Sequence, residues 1–246
     1  MSGHSKWSTI KRAKGAADAK KGVAFGKLAN AVILAAKNGG GDPGSNFSLK
    51  MAIEKAKAAL MPKENIDRAI KRGTGEIAGA QVEEALYEAI GPSGIGIIIE
   101  AATDNKNRTT PEVKNTLAKF GAKFASSGAV SYQFEKLGKI ILDMNGKNQE
   151  EAELAAIDAG SEDFEEAGDD LAVFTKPNEL EKVKKILEEQ GFLVKEANLS
   201  WEPKDLIRIN DKELAQKMLN LMNVLEDLDD VTNVFANFDM AEELIS

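Results

Sequence analysis

Early in the chain, apolar residues recur at steps of three and four, which is the spacing of amphipathic helices. The first stripe ends at the glycine run 39–41, the second follows a turn at 42–44, and Gly73 would end a third. Pro62 suits the first position of that third helix, because proline lacks an amide hydrogen that a helix start leaves unused. The pattern predicts a bundle of three short helices. The residues expected to face its core are Phe25, Leu28, Ala29, Val32, Ile33 and Ala36, then Leu49, Ile53, Ala56 and Leu60, then Ile66, Ala69 and Ile70.

After residue 75 the pattern becomes strand-like. The predicted elements are strands at 82–90 and 95–103, a helix capped by Thr110 with Pro111 at its first position and running to Phe120, and a strand at 129–135. They make a ββαβ unit. The next predicted elements are a strand at 139–144, a helix at 149–159, strands at 163–167 and 171–175, a helix at 178–190 and a strand at 192–201. This βαββαβ order is typical of a ferredoxin-like domain.

The last predicted elements, a helix at 211–228 and a strand at 231–238, are too few to form a domain. They would complete the ββαβ unit if the ferredoxin-like unit is an insertion. The sequence therefore predicts an α+β protein of three domains. These are a basic helical domain at 1–78, a discontinuous α+β domain at 79–135 and 206–246, and an inserted acidic ferredoxin-like domain at 136–205.

Charge is distributed very unevenly along the 246 residues. Residues 1–75 hold 15 lysines and arginines against 5 acidic residues, a net charge of +10. The remainder holds 17 against 35, a net of −18, so the overall charge of −8 averages two unlike parts. A basic block on an acidic protein is typical of a polyanion-binding surface, because cations placed on phosphates release condensed counterions. Nucleic acid is the predicted partner.

Several residues of the basic block are candidate nucleic-acid contacts. Trp7 could stack on an exposed base, although it could equally pack against the bundle. The third helix carries cations outside its apolar face, but Glu64 with Arg68 and Lys63 with Asp67 are also spaced as ion pairs of a solvated helix. The segment 8–21 has little apolar area, and we expect a partner to order it. The candidates are His4, Lys6, Trp7, Lys11, Arg12, Lys14, Lys20, Lys21, Lys27, Lys63, Arg68, Lys71 and Arg72.

Other kinds of site have little support in the sequence. The chain has no cysteine and one histidine, which excludes thiolate chemistry, a histidine-paired triad and a multi-histidine metal site. The acidic run at 162–170 is typical of a solvated strand and turn. We predict no catalytic residues, no metal and no cofactor. The absence of cysteine fits a reducing compartment, so we expect a cytoplasmic protein, and since no apolar run is long enough to span a bilayer, we expect no membrane partner.

Several motifs resemble the YebC/PmpR family. They include Gly3-His4-Ser5-Lys6-Trp7, the stretch 61–76 that begins Met61-Pro62-Lys63-Glu64-Asn65, the stretch 103–109 and Ser126-Ser127-Gly128-Ala129-Val130. The resemblance implies three domains, one helical and two α+β. Family members are labelled DNA-binding transcriptional regulators, the related mitochondrial protein is a translational activator, and bacterial relatives are linked to ribosomes stalled on proline-rich nascent chains. The stretch 103–109 adds a secondary candidate contact at Asn105, Lys106 and Arg108.

The nature of the nucleic acid stays open at this point. The sequence shows neither a helix-turn-helix signature nor a dimerisation heptad, so we expect a monomer. A lysine-rich arm beside a compact bundle suits structured or ribosomal RNA at least as well as DNA. Two further hypotheses are a hydrolase, for which no pair of carboxylates stands out, and a protein-interaction scaffold that binds through the acidic domain.

Overall fold

The computed structural model describes residues 21–79, 81–241 and 244, which form an α+β protein. The helices in this part are α1 (Lys21–Gly39), α2 (Phe47–Ala58), α3 (Lys63–Gly73), α4 (Lys106–Lys119), α5 (Gln149–Ala159), α6 (Leu180–Glu189) and α7 (Lys212–Asp227). The strands are β1 (Glu83–Ile90), β2 (Gly96–Thr103), β3 (Lys123–Ala125), β4 (Phe134–Asp143), β5 (Asp163–Ala167), β6 (Asp170–Thr175), β7 (Leu193–Pro203), β8 (Ile207–Ile209), β9 (Val231–Ala236) and β10 (Phe238–Met240). The predicted fold class is confirmed.

Helices α1, α2 and α3 pack as the predicted bundle around a core that includes Val32, Leu49 and Ile66. A Cβ atom at Gly73 would collide with the Ile33 carbonyl, so glycine lets α3 approach α1 closely. Two details of the prediction are wrong. Pro62 is the N-cap of α3 rather than its first residue. Leu60 is 78% exposed, because α2 ends at Ala58 and the chain turns through a left-handed conformation at Leu60.

The middle domain is built on an antiparallel sheet with the strand order β3-β1-β2-β9. Strand β9 pairs with β2 although more than a hundred residues separate them in sequence. Helices α4 and α7 cover one face of the sheet and contribute Leu117, Met218 and Met222 to a core with Ile97 and Ile99. A short parallel pair, β8 with β10, adjoins this domain.

The predicted strand at 129–135 does not form. Residues 131–133 make a 3₁₀ turn instead, and the edge strand of the sheet is β3. The cause is the buried Glu88, whose carboxylate accepts hydrogen bonds from the backbone N–H groups of Gly128 at 2.7 Å, Val130 at 2.7 Å and Ser131 at 3.0 Å. These groups cannot also pair with a neighbouring strand.

Helix α4 starts earlier than predicted. The Asn105 side chain accepts a hydrogen bond from the Arg108 amide and caps the helix, so α4 begins at Lys106. Thr110 is therefore not the cap, and Pro111 lies inside the helix rather than at its first position. Asn105 and Thr110 are both residue types that cap helices, and the structure uses Asn105, which lies nearer β2.

The third domain has the strand order β5-β6-β4-β7 with α5 and α6 packed on the sheet. This order confirms the ferredoxin-like prediction. Strand β4 begins five residues before the predicted 139–144 strand and pairs with β7 from Phe134 to Asp143. It thus runs through the predicted domain boundary at 135/136, and the exact division into domains stays a prediction.

Glu88 gives a test of the loop at 126–133. Burial alone would raise the pKa of Glu88, but the hydrogen bonds from Val130, Gly128 and Ser131 outweigh it and hold the pKa below its ordinary value. Glu88→Gln should lower the free energy of unfolding by about 1–3 kcal/mol at neutral pH, because an amide NH₂ would face backbone donors. Chemical denaturation measures this loss.

The same substitution has a predicted pH dependence. A lowered pKa means that Glu88 stabilises the fold above its ordinary pKa and loses this effect as pH falls through the folded-state value. The difference between wild type and Glu88→Gln should therefore shrink below about pH 4. Glu112→Gln, at an exposed position on α4, is the matched control and should show no such difference. A difference that persists unchanged in acid would contradict the assignment.

Candidate nucleic-acid interface

Helix α3 presents cations to solvent. It buries Ile66 and Ala69 against the bundle, which leaves Lys63, Arg68 and Lys71 exposed. Arg68 and Lys71 are three residues apart and therefore lie on one side of the helix, about a turn apart. Within the part of the chain that the structure describes, none of these three cations makes an ion pair, so the pairs Lys63–Asp67 and Glu64–Arg68 do not form. Their charges are uncompensated by close partners.

Helix α2 extends this positive surface with three exposed lysines. They are Lys50, Lys55 and Lys57. Together, α2 and α3 expose six cations against the carboxylates of Glu54, Glu64 and Asp67. Phosphate groups would find an excess of donors here, and exposed lysine and arginine side chains are flexible enough to follow an irregular backbone.

Two of the predicted contact residues lie instead at the junction with the middle domain. The Lys27 ammonium group donates to the Glu226 carbonyl in the last turn of α7. The helix dipole also stabilises a cation at this end of the helix. The half-buried Arg72 lies 4.0 Å from the Asp104 carboxylate. The structure thus separates Lys27 and Arg72 from the exposed cations of α3.

The bundle also contacts the middle sheet through hydrogen bonds that the sequence did not suggest. The Asn30 side chain donates to the Ala102 carbonyl at 3.2 Å, and Lys37 donates to the Val82 carbonyl at 3.0 Å. Val82 and Ala102 are themselves buried in the bundle core. The cationic surface of α2 and α3 is therefore carried by a bundle that packs against the end of β2.

The secondary candidates Asn105, Lys106 and Arg108 make structural contacts around the start of α4. Asn105 caps the helix, as described above. Lys106 pairs with Glu83 at 2.9 Å, and Arg108 donates to the buried Asp230 at 2.8 Å. Lys106 and Arg108 keep about half of their side-chain surface exposed, and a contact with nucleic acid there stays a prediction.

Asp230 is the centre of that network. It accepts hydrogen bonds from Thr109 at 2.5 Å, from Thr103 at 3.1 Å and from Arg108. Burial alone would raise the pKa of Asp230, but the hydrogen bonds from Thr109, Arg108 and Thr103 outweigh it and lower the pKa. The network ties β2, α4 and the turn before β9 to one another.

The remaining candidates lie outside the described residues. They are His4, Lys6, Trp7, Lys11, Arg12, Lys14 and Lys20, together with the side chain of Lys21. Across the ranges that are described, no cluster of histidine and acidic residues is placed to hold a metal ion. No helix there is both long and apolar enough to cross a membrane.

The architecture is that of a three-domain α+β protein in which a helical domain precedes two α+β domains. Its sequence matches the family model "TACO1/YebC protein N-terminal domain" over residues 5–76 and the model "TACO1/YebC second and third domain" over residues 82–238. The chain belongs to the TACO1/YebC family, which confirms the resemblance noted in its motifs.

Relatives align over nearly the whole length. A protein of Methylacidiphilum infernorum is 44% identical over 245 residues, covering 100% of this chain and 98% of the relative. One of Pseudothermotoga lettingae is 48% identical over 241 residues, covering 98% and 94%. Both are named "Probable transcriptional regulatory protein". The crystal structure of a conserved hypothetical protein from Aquifex aeolicus superposes with a TM-score of 0.88 at 43% identity, covering 95% of this chain and 96% of that one.

The Asp230 network predicts a specific loss of stability. Asp230→Ala should lower the free energy of unfolding by about 2–3 kcal/mol, because it leaves two buried hydroxyl groups and the Arg108 guanidinium without their shared acceptor. The adjacent Asp229 is exposed, and Asp229→Ala should change stability by less than about 0.5 kcal/mol. Urea unfolding of both variants measures the difference, and equal effects would show that the network is not stabilising.

Proposed function

We propose that this chain is a non-enzymatic, nucleic-acid-binding regulator of gene expression that acts in the cytoplasm through its basic N-terminal domain. The observation that carries the proposal is the set of exposed, unpaired cations on α3, namely Lys63, Arg68 and Lys71. Neighbouring cations on this surface repel one another, and bound phosphate groups would offset that repulsion. The names of the two relatives support regulation of transcription, which makes DNA the first target to test.

A ribosomal or other structured RNA is the second candidate target, with activation of translation as the corresponding function. Two observations favour it. The carboxylates of Glu64 and Asp67 interrupt the exposed cations of α3, and Arg72 holds the last turn of the helix against Asp104. A recognition helix in the major groove needs a free face that reads base edges. Folded RNA can be bound through phosphates and shape by a short cationic surface.

Neutralising the exposed cations tests the proposed surface. Arg68→Gln with Lys71→Gln should weaken binding of labelled DNA or structured RNA by roughly 10-fold or more. It should also reduce the slope of log K against log salt by about 2, one unit for each lost phosphate contact. Fluorescence anisotropy at several salt concentrations measures both quantities.

The matched control is Lys182→Gln with Lys185→Gln, which removes two exposed charges from α6 in the acidic domain. Because overall charge changes equally in the two variants, only a local contact predicts different affinities. Equal effects on affinity and salt slope would contradict a binding surface on α3.

The two targets are separated by comparing ribosome co-sedimentation with a promoter-DNA shift at one near-physiological salt concentration. The comparison uses wild type, the α3 variant and a variant with Lys11, Arg12, Lys14, Lys20 and Lys21 changed to glutamate. Ribosome association that these substitutions abolish, with weak and sequence-indifferent DNA binding, would establish the translational role. A sequence-specific DNA shift without ribosome association would establish the transcriptional role.

A further inference from the structure

Helix α5 of the third domain buries its small residues and exposes its large aliphatic ones. Its buried face consists of four alanines, Ala152, Ala155, Ala156 and Ala159. Its large aliphatic residues point to solvent, with Leu154 62% exposed and Ile157 56% exposed. They are three residues apart and therefore form one apolar patch on the outer side of the helix. The fold of the domain does not use this patch.

The surroundings of the patch are acidic. Glu150 lies four residues before Leu154 on the same outer side, and Glu151 and Asp158 are exposed beside the aliphatic pair. Helix α5 contains no lysine or arginine. Among the described residues, Glu150, Glu151 and Asp158 form no ion pair. The patch is an aliphatic pair bordered by uncompensated carboxylates.

Helix α6, on the same domain, shows the contrast. Two of its three carboxylates are paired with lysines one turn away, in the pairs Lys184–Glu188 and Lys185–Glu189. Lys185–Glu189 is an exposed i,i+4 pair, whereas Lys184 is buried beside Glu188. A partner that docks on α5 would bury Leu154 and Ile157 and supply the positive charge that α5 lacks. Helix α6 already carries lysines of its own.

We propose that the outer face of α5, centred on Leu154 and Ile157, docks a basic amphipathic segment of another protein, with aliphatic side chains flanked by lysine or arginine. Charge complementarity selects this occupant: residues 136–205 hold 18 acidic residues against 9 lysines, a net charge of −9, so phosphate backbones are repelled and cationic segments attracted. The aliphatic pair supplies the contact that is buried, and the carboxylates form its polar rim. The site is independent of the proposed cationic surface on α3.

The test uses the full chain and a labelled synthetic peptide of about four helical turns, with leucines at i, i+3, i+4 and i+7 and lysines elsewhere. A second peptide replaces the leucines by serine at the same charge. Anisotropy should show that wild type binds the leucine peptide about 10-fold or more tighter than the serine peptide. Equal binding of the two peptides would reduce the interaction to bulk charge and overturn the proposal.

The variant Leu154→Gln/Ile157→Gln keeps good helix formers at both positions and should weaken binding of the leucine peptide by about 10-fold. Leu60→Gln is the matched control, since Leu60 is at least as exposed but lies beside the lysines of α2 and α3. It should leave peptide binding within about 2-fold of wild type. Equal losses in the two variants, or none in the α5 variant, would overturn the site.

Two further measurements identify the occupant. Glu150→Gln/Glu151→Gln/Asp158→Asn should weaken binding and flatten its salt dependence, because the rim steers the cationic segment. Sedimentation equilibrium tests whether a second copy of the chain is the occupant. We expect no self-association through α5; self-association of wild type that the α5 variant lacks would overturn the proposal. Binding of labelled RNA and DNA should be the same for the α5 variant and wild type. A failed peptide test would therefore refute the α5 site without bearing on the proposed nucleic-acid binding of α3.

Discussion

Burial of strand β2 on both faces is the constraint on which the arrangement of the three domains depends. Successive side chains of a strand point to opposite sides of the sheet. On one side, Ile97, Ile99 and Ala101 face α4 and α7 in the core of the middle domain. On the other side, Ala102 lies in the core of the helical bundle and Ile98 packs with Phe134 and Trp201 at the third domain. One strand therefore contributes to three cores.

Glu100 shows how this strand accommodates a charge between its two neighbouring domains. Its carboxylate accepts a hydrogen bond from the Trp201 indole at 2.9 Å and one from the Asn233 amide at 3.0 Å. A half-buried carboxylate without such donors would be costly, so the Trp201 and Asn233 side chains stabilise Glu100 where β2 meets the third domain. The bundle is fixed at the other end of β2 by Asn30 and the Val82 contact. The helical bundle and the third domain thus both pack against β2, and Phe47 and Met51 of α2 also pack against the core of the third domain.

Local sequence signals predicted much of this fold. The stripe from Phe25 to Ala36, the order of elements after Leu137 and the helix predicted at 211–228 each depend on neighbours within a few turns, and the structure has helices and strands there. The missing strand at 129–135 was decided by a distant residue, whereas the errors at Leu60 and at the start of α4 have local causes. Glu88 withdraws the backbone donors of 128–131 from strand pairing, and the tight turn at Leu60 turns that side chain away from the core. Neither effect has a signature in the local pattern of apolar residues.

The candidate interface shows the same division between local and long-range information. Charge counts identified the basic domain, since the sum of many charges does not depend on their exact positions. They could not separate Arg68 and Lys71, which are exposed without ion pairs, from Lys27, Arg72 and Arg108, which meet acceptors far away in sequence. A cation whose partner is a carbonyl or a buried carboxylate stabilises the fold, and releasing it to a phosphate would leave that partner unsatisfied. Among the described residues, the exposed cations of α2 and α3 have no ion pair, so placing them on a phosphate would break no existing contact.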